Sequence, residues 1–139
     1  MSGKGRPERM LPGPPGLNGE FYERAASSGV LHLQRCDACA VWRHPPRLLC
    51  AACGSDRWSW QPSSGNGRVF SWTITHQAFD PAFAGELPYA VLVVEMEEGP
   101  RLVGNLVGLP PASLELDLPV RVVLDKRSDT IALLDFAPR

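Results

Sequence analysis

The stretch Cys36-Asp37-Ala38-Cys39, followed after ten residues by Cys50-Ala51-Ala52-Cys53, contains all four cysteines of the chain. Two residues between a pair of thiols allow one tight turn to direct both sulfurs at a common centre, and two such turns complete a tetrahedron that suits Zn²⁺. The spacing therefore predicts a metal site with the ligands Cys36, Cys39, Cys50 and Cys53. Because four protein ligands leave no coordination position open, the predicted zinc is structural and not catalytic.

Two other interpretations of the cysteines are open at this point. One is iron in a rubredoxin-like centre, because tetrahedral thiolates also suit that metal. The other is a set of disulfides or unreactive thiols. The first twenty residues lack the apolar segment of a secretory signal, so we expect a cytoplasmic location. Clustered cysteines bind metal more often than they form disulfides in that compartment, which favours zinc.

The residues around the cysteines predict a small unit of one helix and a zinc ribbon, residues 17–62. Asn18 is the predicted N-cap of the helix and Gly29 its terminator. The apolar segment before the first cysteine pair, and Trp58 and Trp60 after the second, indicate flanking strands. A ribbon this small lacks a large core, so we expect metal binding to contribute much of its folding free energy.

Residues 63–139 predict five short β-strands, which suits a small closed or partly open barrel. In the first strand Phe70, Trp72 and Ile74 alternate with hydroxyl residues and are expected to share one face. A single helical turn is expected at residues 110–114. A five-stranded OB-fold is the leading interpretation, and an SH3-like barrel is an alternative that the pattern leaves open. The five stretches typical of strands are residues 69–76, 89–97, 101–107, 119–124 and 130–136.

Composition and charge exclude some classes of function. The chain has 139 residues and a formal net charge of −1, and residues 63–139 carry six basic and ten acidic side chains. An acidic barrel is a poor match for a phosphate backbone, so we expect no nucleic-acid partner. No apolar run approaches the roughly 20 residues of a membrane span. Residues 1–16 are rich in Pro and Gly and are predicted to form a flexible tail.

Several short motifs, in their order along the chain, resemble those of a known family. The family is the combined zinc-ribbon and OB-fold family first catalogued as domain of unknown function thirty-five, and the resemblance covers about residues 19–137. Ala40 departs from its pattern, since a glycine usually follows the first cysteine pair. The motifs are Leu-His-Leu-Gln-Arg-Cys at residues 31–36, Pro45-Pro46-Arg47, Trp-Ser-Trp at 58–60, Ser-Gly-Asn-Gly-Arg-Val-Phe-Ser-Trp-Thr at 64–73, Leu-Pro-Tyr at 87–89 and Leu-Val-Gly-Asn-Leu-Val at 102–107.

The resemblance implies a fold and a role. The implied fold is mainly β: a short N-terminal helix, a rubredoxin-like zinc ribbon, and a five-stranded OB-fold barrel. The implied role is that of a non-catalytic accessory subunit in a hetero-oligomer. Its partner would be a thiolase-fold enzyme acting on acyl-CoA, namely a thiolase, a lipid-transfer-protein-like aldolase or an acyltransferase. Some members of the family are instead associated with a hotdog-fold hydratase.

If the chain helps to hold CoA or contacts its partner, a few residues are candidates for that contact. Phe79 and Phe83 would cover a pantetheine arm or plug a partner's groove, and the alternative is that they anchor their loop to the barrel. Arg47 would meet a phosphate, and the alternative is a solvated or ribbon-stabilising arginine. The full set of candidate contact residues is Arg47, Trp72, His76, Phe79, Phe83 and Tyr89.

Two other functions compete with the accessory role. Zinc ribbons and OB-folds both bind single-stranded nucleic acids in other proteins, but the acidic barrel argues against this function. A free-standing enzyme is the second alternative, with His76 near Asp80 and Glu86 as the imaginable proton-transfer group. The sequence shows no nucleophile elbow and no glycine-rich phosphate loop, so a strand-end or interface histidine is the favoured interpretation of His76.

Overall fold

A computed structural model describes residues 10–13 and 15–139. The predicted tail, residues 1–16, lies largely outside the described residues. Helix α1 is Leu17–Ser28, and it ends as predicted at Gly29, which has left-handed backbone and donates its N–H to Ala25. The prediction of Asn18 as N-cap was wrong. The cap is Gly16, whose positive φ of 80° turns the chain early enough for the helix to begin before Asn18.

The zinc ribbon contains a three-stranded antiparallel sheet in the order β2-β1-β3. Its strands are β1, His32–Cys36, β2, Trp42–Arg43, and β3, Trp58–Pro62. The first cysteine pair begins at the end of β1, and the second pair lies in the connection between β2 and β3. In the register of the sheet, Gln34 lies opposite Arg43 on one side and Trp60 on the other.

Five further strands form a closed barrel in the order β4-β5-β6-β8-β7. Its pairs are antiparallel except β6 with β8, which is the parallel pair expected of an OB-like barrel. The predicted mainly β fold, a ribbon followed by a five-stranded OB-type barrel, is therefore confirmed. The strands are β4, Asn66–Thr75, β5, Tyr89–Met96, β6, Arg101–Leu106, β7, Pro119–Lys126, and β8, Ala132–Pro138.

Two 3₁₀ helices connect strands of the barrel. Pro81–Glu86 lies between β4 and β5, and the side chain of Asp80 caps it by accepting a hydrogen bond of 2.9 Å from the N–H of Ala82. Pro111–Ser113, between β6 and β7, is the helical turn expected in that connection. The described residues include no helix long and apolar enough to cross a membrane.

The inward face of β4 differs from the predicted alternation. A β-bulge lies between Val69 and Ser71, and the residue inside it, Phe70, is 45% exposed. The extra residue shifts the alternation by one, so that Val69 is fully buried while Trp72 and Ile74 still pack against the core. The prediction that Phe70 shares a face with Trp72 was therefore wrong. The Phe70 ring instead stacks under the guanidinium of Arg101, with 3.6 Å between them.

The ribbon unit and the barrel share one apolar core. Phe21 of α1 and Leu33 of β1 are buried in the same cluster as Leu92 and Phe136 of the barrel. A second, smaller cluster joins α1 to the barrel through small side chains, Ala25, Ala26 and Ala132, with Leu124 against them. The shared core holds the metal-ligating turns in a defined position relative to the barrel.

Candidate functional site

The four cysteine sulfurs converge on one point. Cys36 Sγ lies 3.6 Å from Cys53 Sγ, and Cys39 Sγ lies 3.6 Å from Cys50 Sγ. All four sulfurs lie within 4.8 Å of one another. A tetrahedral zinc with Zn–S bonds of about 2.3 Å separates its sulfurs by about 3.8 Å, so the donor set fits zinc. The predicted ligands are thus positioned to bind one metal ion, with Cys36 and Cys50 buried and the other two exposed.

The two cysteine turns, which we call knuckles, repeat the same hydrogen bonds. In the first knuckle the N–H of Ala40 bonds to the carbonyl of Cys36 at 2.9 Å, and in the second the N–H of Gly54 bonds to that of Cys50 at 2.8 Å. The N–H groups of Cys36 and Cys50 likewise donate to carbonyls five residues later, each at 2.9 Å. The two Cys-x-x-Cys pairs therefore form the same turn, and each turn presents its two sulfurs to the shared centre in the same way.

Backbone amides also act on the sulfurs. The N–H groups of Cys53 and Ala52 donate to the Cys50 sulfur and lower the pKa of that thiol to about 6. The pKa of Cys36 is lowered by the equivalent amides of the first knuckle. An amide of Val41 acts to lower the pKa of Cys39, but partial desolvation of its sulfur and the other three thiols outweigh it and raise this pKa to about 12. Four crowded thiols therefore favour thiolates on the buried pair, which is suited to a cation.

A buried polar network supports the loop between the knuckles. Gln34 is 1% exposed, and its side-chain oxygen accepts hydrogen bonds from Arg43 Nε at 2.9 Å and from the N–H of Arg47 at 2.7 Å. Its amide nitrogen donates to the carbonyl of Arg47 at 3.0 Å, and a terminal nitrogen of Arg43 donates to the same carbonyl at 2.8 Å. Both backbone groups of Arg47 are thereby fixed. Sequence analysis missed this network, because a Gln and an Arg in short strands carry no signal of being buried.

The loop held by this network exposes two consecutive leucines. Leu48 is 69% exposed and Leu49 is 58% exposed, directly before the ligand Cys50. Sequence analysis did not single them out, although two adjacent leucines beside a metal ligand were a visible signal. A loop whose backbone is fixed and whose large apolar side chains face water is a feature of contact surfaces.

His44 is half-buried near this loop and is not one of the four converging ligands. Its ring packs against Phe21, with 4.8 Å between ring centroids. Burial, with a smaller contribution from the positive charge of Arg47, lowers the pKa of His44 to about 4. The side chain is therefore neutral at neutral pH and belongs to the contact between the ribbon and α1.

The six candidate contact residues separate into different environments. Phe79 is 89% exposed, and His76 and Arg47 are exposed as well. Phe83 packs on Tyr89, with 5.4 Å between ring centroids, as expected for an aromatic that anchors its loop. Trp72 packs against the core of the barrel.

The β4–β5 connection collects most of these candidates at one end of the barrel. Thr75 and Tyr89 are paired where the connection leaves β4 and enters β5, so His76, Phe79 and Phe83 all lie on it. Arg47 lies apart from them, on the ribbon. His76 forms no hydrogen bond with another described residue, which leaves it without the partners that a general base needs.

Two family models match the chain in succession. "ChsH2, rubredoxin-like zinc ribbon domain" matches residues 24–59, and "ChsH2, C-terminal OB-fold domain" matches residues 60–125. The boundary between the two matches falls within β3, the last strand of the ribbon sheet. Together they span the ribbon and most of the barrel.

Two curated relatives are subunits of hydratases. The chain is 42% identical over 121 residues to a probable enoyl-CoA hydratase alpha subunit of Thermomonospora curvata, covering 86% of this chain and 37% of that protein. It is 31% identical over 115 residues to the 3-oxo-4,17-pregnadiene-20-carboxyl-CoA hydratase alpha subunit of Mycobacterium tuberculosis, covering 83% and 36%. The chain thus spans little more than a third of the length of these relatives.

A solved structure matches nearly end to end. In the "Ltp2-ChsH2(DUF35) aldolase", one chain is 39% identical to this protein and superposes with a TM-score of 0.81. The match covers 91% of this protein and 98% of that chain. The likeness therefore includes both the ribbon and the barrel, in the same relative arrangement.

Proposed function

This chain belongs to the DUF35 family, in which a rubredoxin-like zinc ribbon precedes an OB-fold, and from that membership we propose that it is a non-catalytic accessory subunit of an enzyme complex acting on acyl-CoA. The observation that carries the proposal is the 39% identity to a chain of the Ltp2-ChsH2(DUF35) aldolase, over 98% of that chain. Relatives named as alpha subunits of CoA-ester hydratases support the same role.

The chemistry of the described residues supports a role without catalysis. Four thiolates close the coordination shell of the metal, so a bound zinc has no position for water or substrate. His44 is half-buried and packs on Phe21, and His76 lacks a hydrogen-bonded partner among the described residues. Neither histidine has the oriented nucleophile or carboxylate that acid–base catalysis requires.

The partner we propose is a thiolase-fold enzyme of the aldolase type, with a hotdog-fold hydratase as a further member of the complex. The relatives' names supply both reactions, an aldolase in one case and hydratases in the others. The substrate class we propose is a CoA thioester, because both hydratase names contain one. We also propose a cytoplasmic location for this complex.

We propose that the contact with the partner uses the exposed side chains at the β4–β5 connection and on the ribbon loop. Phe79, at 89% exposure, and the leucine pair Leu48 and Leu49 are large apolar groups with no cover within the described chain. Burying them against a partner would release water from apolar surface, at about 25 cal/mol per Å². His76 and Arg47 lie on the same two segments and are proposed to contribute polar contacts.

The test is reconstitution with a defined partner. The purified chain is mixed with the Ltp2 subunit of the solved aldolase, and complex formation is measured by size-exclusion chromatography with light scattering. We expect a stable complex, and no acyl-CoA turnover by this chain alone. Failure to associate with Ltp2, or robust thioesterase or aldolase activity from the isolated chain, would contradict the proposal.

A further inference from the structure

One edge of β7 is open beyond Val122, over the second half of the strand. Strand β4 pairs with β7 only at residues 119–121, and the last contact is a hydrogen bond of 2.7 Å from the N–H of Val122 to the carbonyl of Gly65. The segment that precedes β4 turns away from this edge of β7 at Gly65, whose φ is 79°. On its other side β7 is paired with β8 as far as Lys126.

The backbone of the open edge is available for pairing. Because the N–H of Val122 points away from β8, the two-residue alternation of a strand directs the N–H and C=O of Leu124 the same way. Neither group of Leu124 bonds to a described residue outside the pairing with β8. Unpaired backbone groups of this kind act as a template for another strand, which is why edges are usually covered.

A groove of about 530 Å³ lies against this edge. Its opposite wall is the end of α1 with Gly29 and Val30, and the buried side chains of Ala25 and Ala26 close the inner end of the groove where they pack with Ala132 and Leu124. Val30 is 41% exposed into this region, and Val123 contributes further apolar surface. The groove therefore lies at the junction of the ribbon unit and the barrel, where binding sites are often found.

A cation marks each end of the groove. Arg121 and Lys126 both line it, and five residues of extended strand separate them by about 17 Å. Neither forms an ion pair with a described residue. Two lining residues do contact a carboxylate, that of Glu98, whose two oxygens accept hydrogen bonds of 2.8 Å from Ser63 Oγ and the N–H of Ser64. The lining itself contains no acidic side chain.

We propose that the groove receives an extended, apolar segment of the catalytic partner, with acidic side chains about five residues apart, which adds as a strand to β7 at Val122–Lys126. Main-chain hydrogen bonds to Leu124 would give affinity, and the two cations would set the register of the segment. This inference rests on the proposed function, because the segment belongs to the partner enzyme.

The other occupants of such an edge fit less well. A second copy of this chain, paired edge to edge, would bring the same basic ends together, and like charges across strands are destabilising. The N-terminal residues of this chain carry Lys4, Arg6 and Arg9 against Glu8, so the cations of the groove would repel them. An acidic segment is the occupant that matches the charges of the groove.

Hydrogen exchange tests strand addition directly. Amides of Leu124 and Lys126 are measured in the free chain and in the complex with Ltp2, with the amides of the ribbon strand β3 as the reference. We expect these two amides to exchange at least about tenfold more slowly in the complex, as newly formed ladder hydrogen bonds require. Unchanged exchange at Leu124 in a formed complex would overturn the inference.

Charge reversal tests the two ends of the groove. The double variant Arg121→Glu with Lys126→Glu is compared with Arg35→Glu and Arg57→Glu, two exposed ribbon arginines that carry the same change of charge. We expect the groove variant to weaken Ltp2 binding at least about tenfold, and the control to change it less than about threefold. Equal effects of the two doubles would mean general electrostatics and would overturn the inference.

The outcomes separate this inference from the proposed function. If the wild-type chain does not bind Ltp2, both fail together. If it binds, but Leu124 stays unprotected or the groove variant binds as well as wild type, only the groove assignment fails. Protection of Leu124 that depends on the concentration of this chain without Ltp2 would identify a second copy as the occupant, which also overturns it.

Discussion

Ala40 and Gly54 occupy equivalent positions in the two knuckles, one residue after the second cysteine of each pair, and both have left-handed backbone, with φ values of 66° and 76°. The conformation suits glycine and strains alanine, because a Cβ approaches the neighbouring carbonyl. The same turn is therefore built once with a residue that fits it and once with a residue that does not.

Two single substitutions, one at each position, should change the free energy of unfolding in opposite directions. Ala40→Gly relieves the strain and is expected to stabilise the chain by about 0.5 kcal/mol, after the entropy cost of glycine. Gly54→Ala introduces the strain and is expected to destabilise it by about 1 kcal/mol. A Cβ at Gly54 would meet no atom within 4 Å, so the effect is conformational and not a clash. Urea unfolding of the zinc-loaded variants measures both, and effects of the same sign would contradict the argument.

The metal site makes a prediction about stoichiometry. Protein purified without added metal should contain about one zinc per chain by elemental analysis, because the four thiolates make one closed site. Cys50→Ser removes a buried ligand and should abolish stoichiometric zinc and lower the melting temperature. Ser55→Ala, a change just outside the second knuckle, serves as the control and should keep its zinc. A metal-free chain that remains fully folded would contradict the ribbon assignment.

His44 gives the stability a pH dependence. Its pKa falls from 6.5 in the unfolded chain to about 4 in the fold, so the unfolded state binds the proton first as the pH is lowered. The contribution of neutral His44 to the free energy of unfolding is therefore fully present above pH 6.5. It is lost as the pH falls to about 4, by at most about 3 kcal/mol. His44→Phe keeps a ring against Phe21 and should flatten this part of the profile. Zinc is monitored in parallel, since thiolate protonation releases metal from both proteins alike.

Phe79 and Phe83 should respond differently to truncation. Phe79→Ala removes a ring that is 89% exposed, so it should leave the melting temperature unchanged and weaken Ltp2 binding at least about tenfold. Phe83→Ala removes the ring that packs on Tyr89 and should destabilise the chain by about 1–2 kcal/mol. Zinc content should stay the same in both variants. Unfolding of the Phe79 variant would mean that this ring belongs to the core.

The sequence also predicts what the chain does not bind tightly. We expect no affinity for single-stranded DNA or RNA tighter than about 10 μM at physiological salt, because an acidic barrel releases few counterions. CoA thioesters should bind weakly to the free chain and more tightly to its complex with Ltp2, because a CoA site formed by both subunits would be complete only there. Fluorescence anisotropy with labelled oligonucleotides and calorimetry with acetyl-CoA measure the two. Tight oligonucleotide binding with a steep salt dependence would contradict the accessory role.

Local patterns predicted much of the fold. The spacing of the cysteines predicted the ligand set, because a tight turn depends on residues close in sequence. Gly29 was predictable as the helix terminator for the same reason, since its left-handed backbone is a local requirement. The β-branched composition of residues 89–97 predicted a strand, and β5 forms there at Tyr89–Met96.

Features that depend on distant partners were not predictable. Phe70 leaves the core because β4 contains a bulge against β5, and a bulge is a property of two paired strands. Gln34 is buried because Arg43 and Arg47 satisfy its amide, an arrangement across thirteen residues of sequence. The opening of the β7 edge likewise follows from where the chain leaves it at Gly65.

Because the ribbon and the barrel share one apolar core, the folding stability of the whole chain depends on metal binding. If Phe21 and Leu33 leave that interior, Leu92 and Phe136 become exposed to water. Loss of the ion is therefore expected to destabilise the barrel as well as the ribbon. Chains made without zinc would therefore expose apolar core residues of both units to solvent. The amount of the complex proposed above would then follow zinc supply, although the metal would serve the fold and not the reaction.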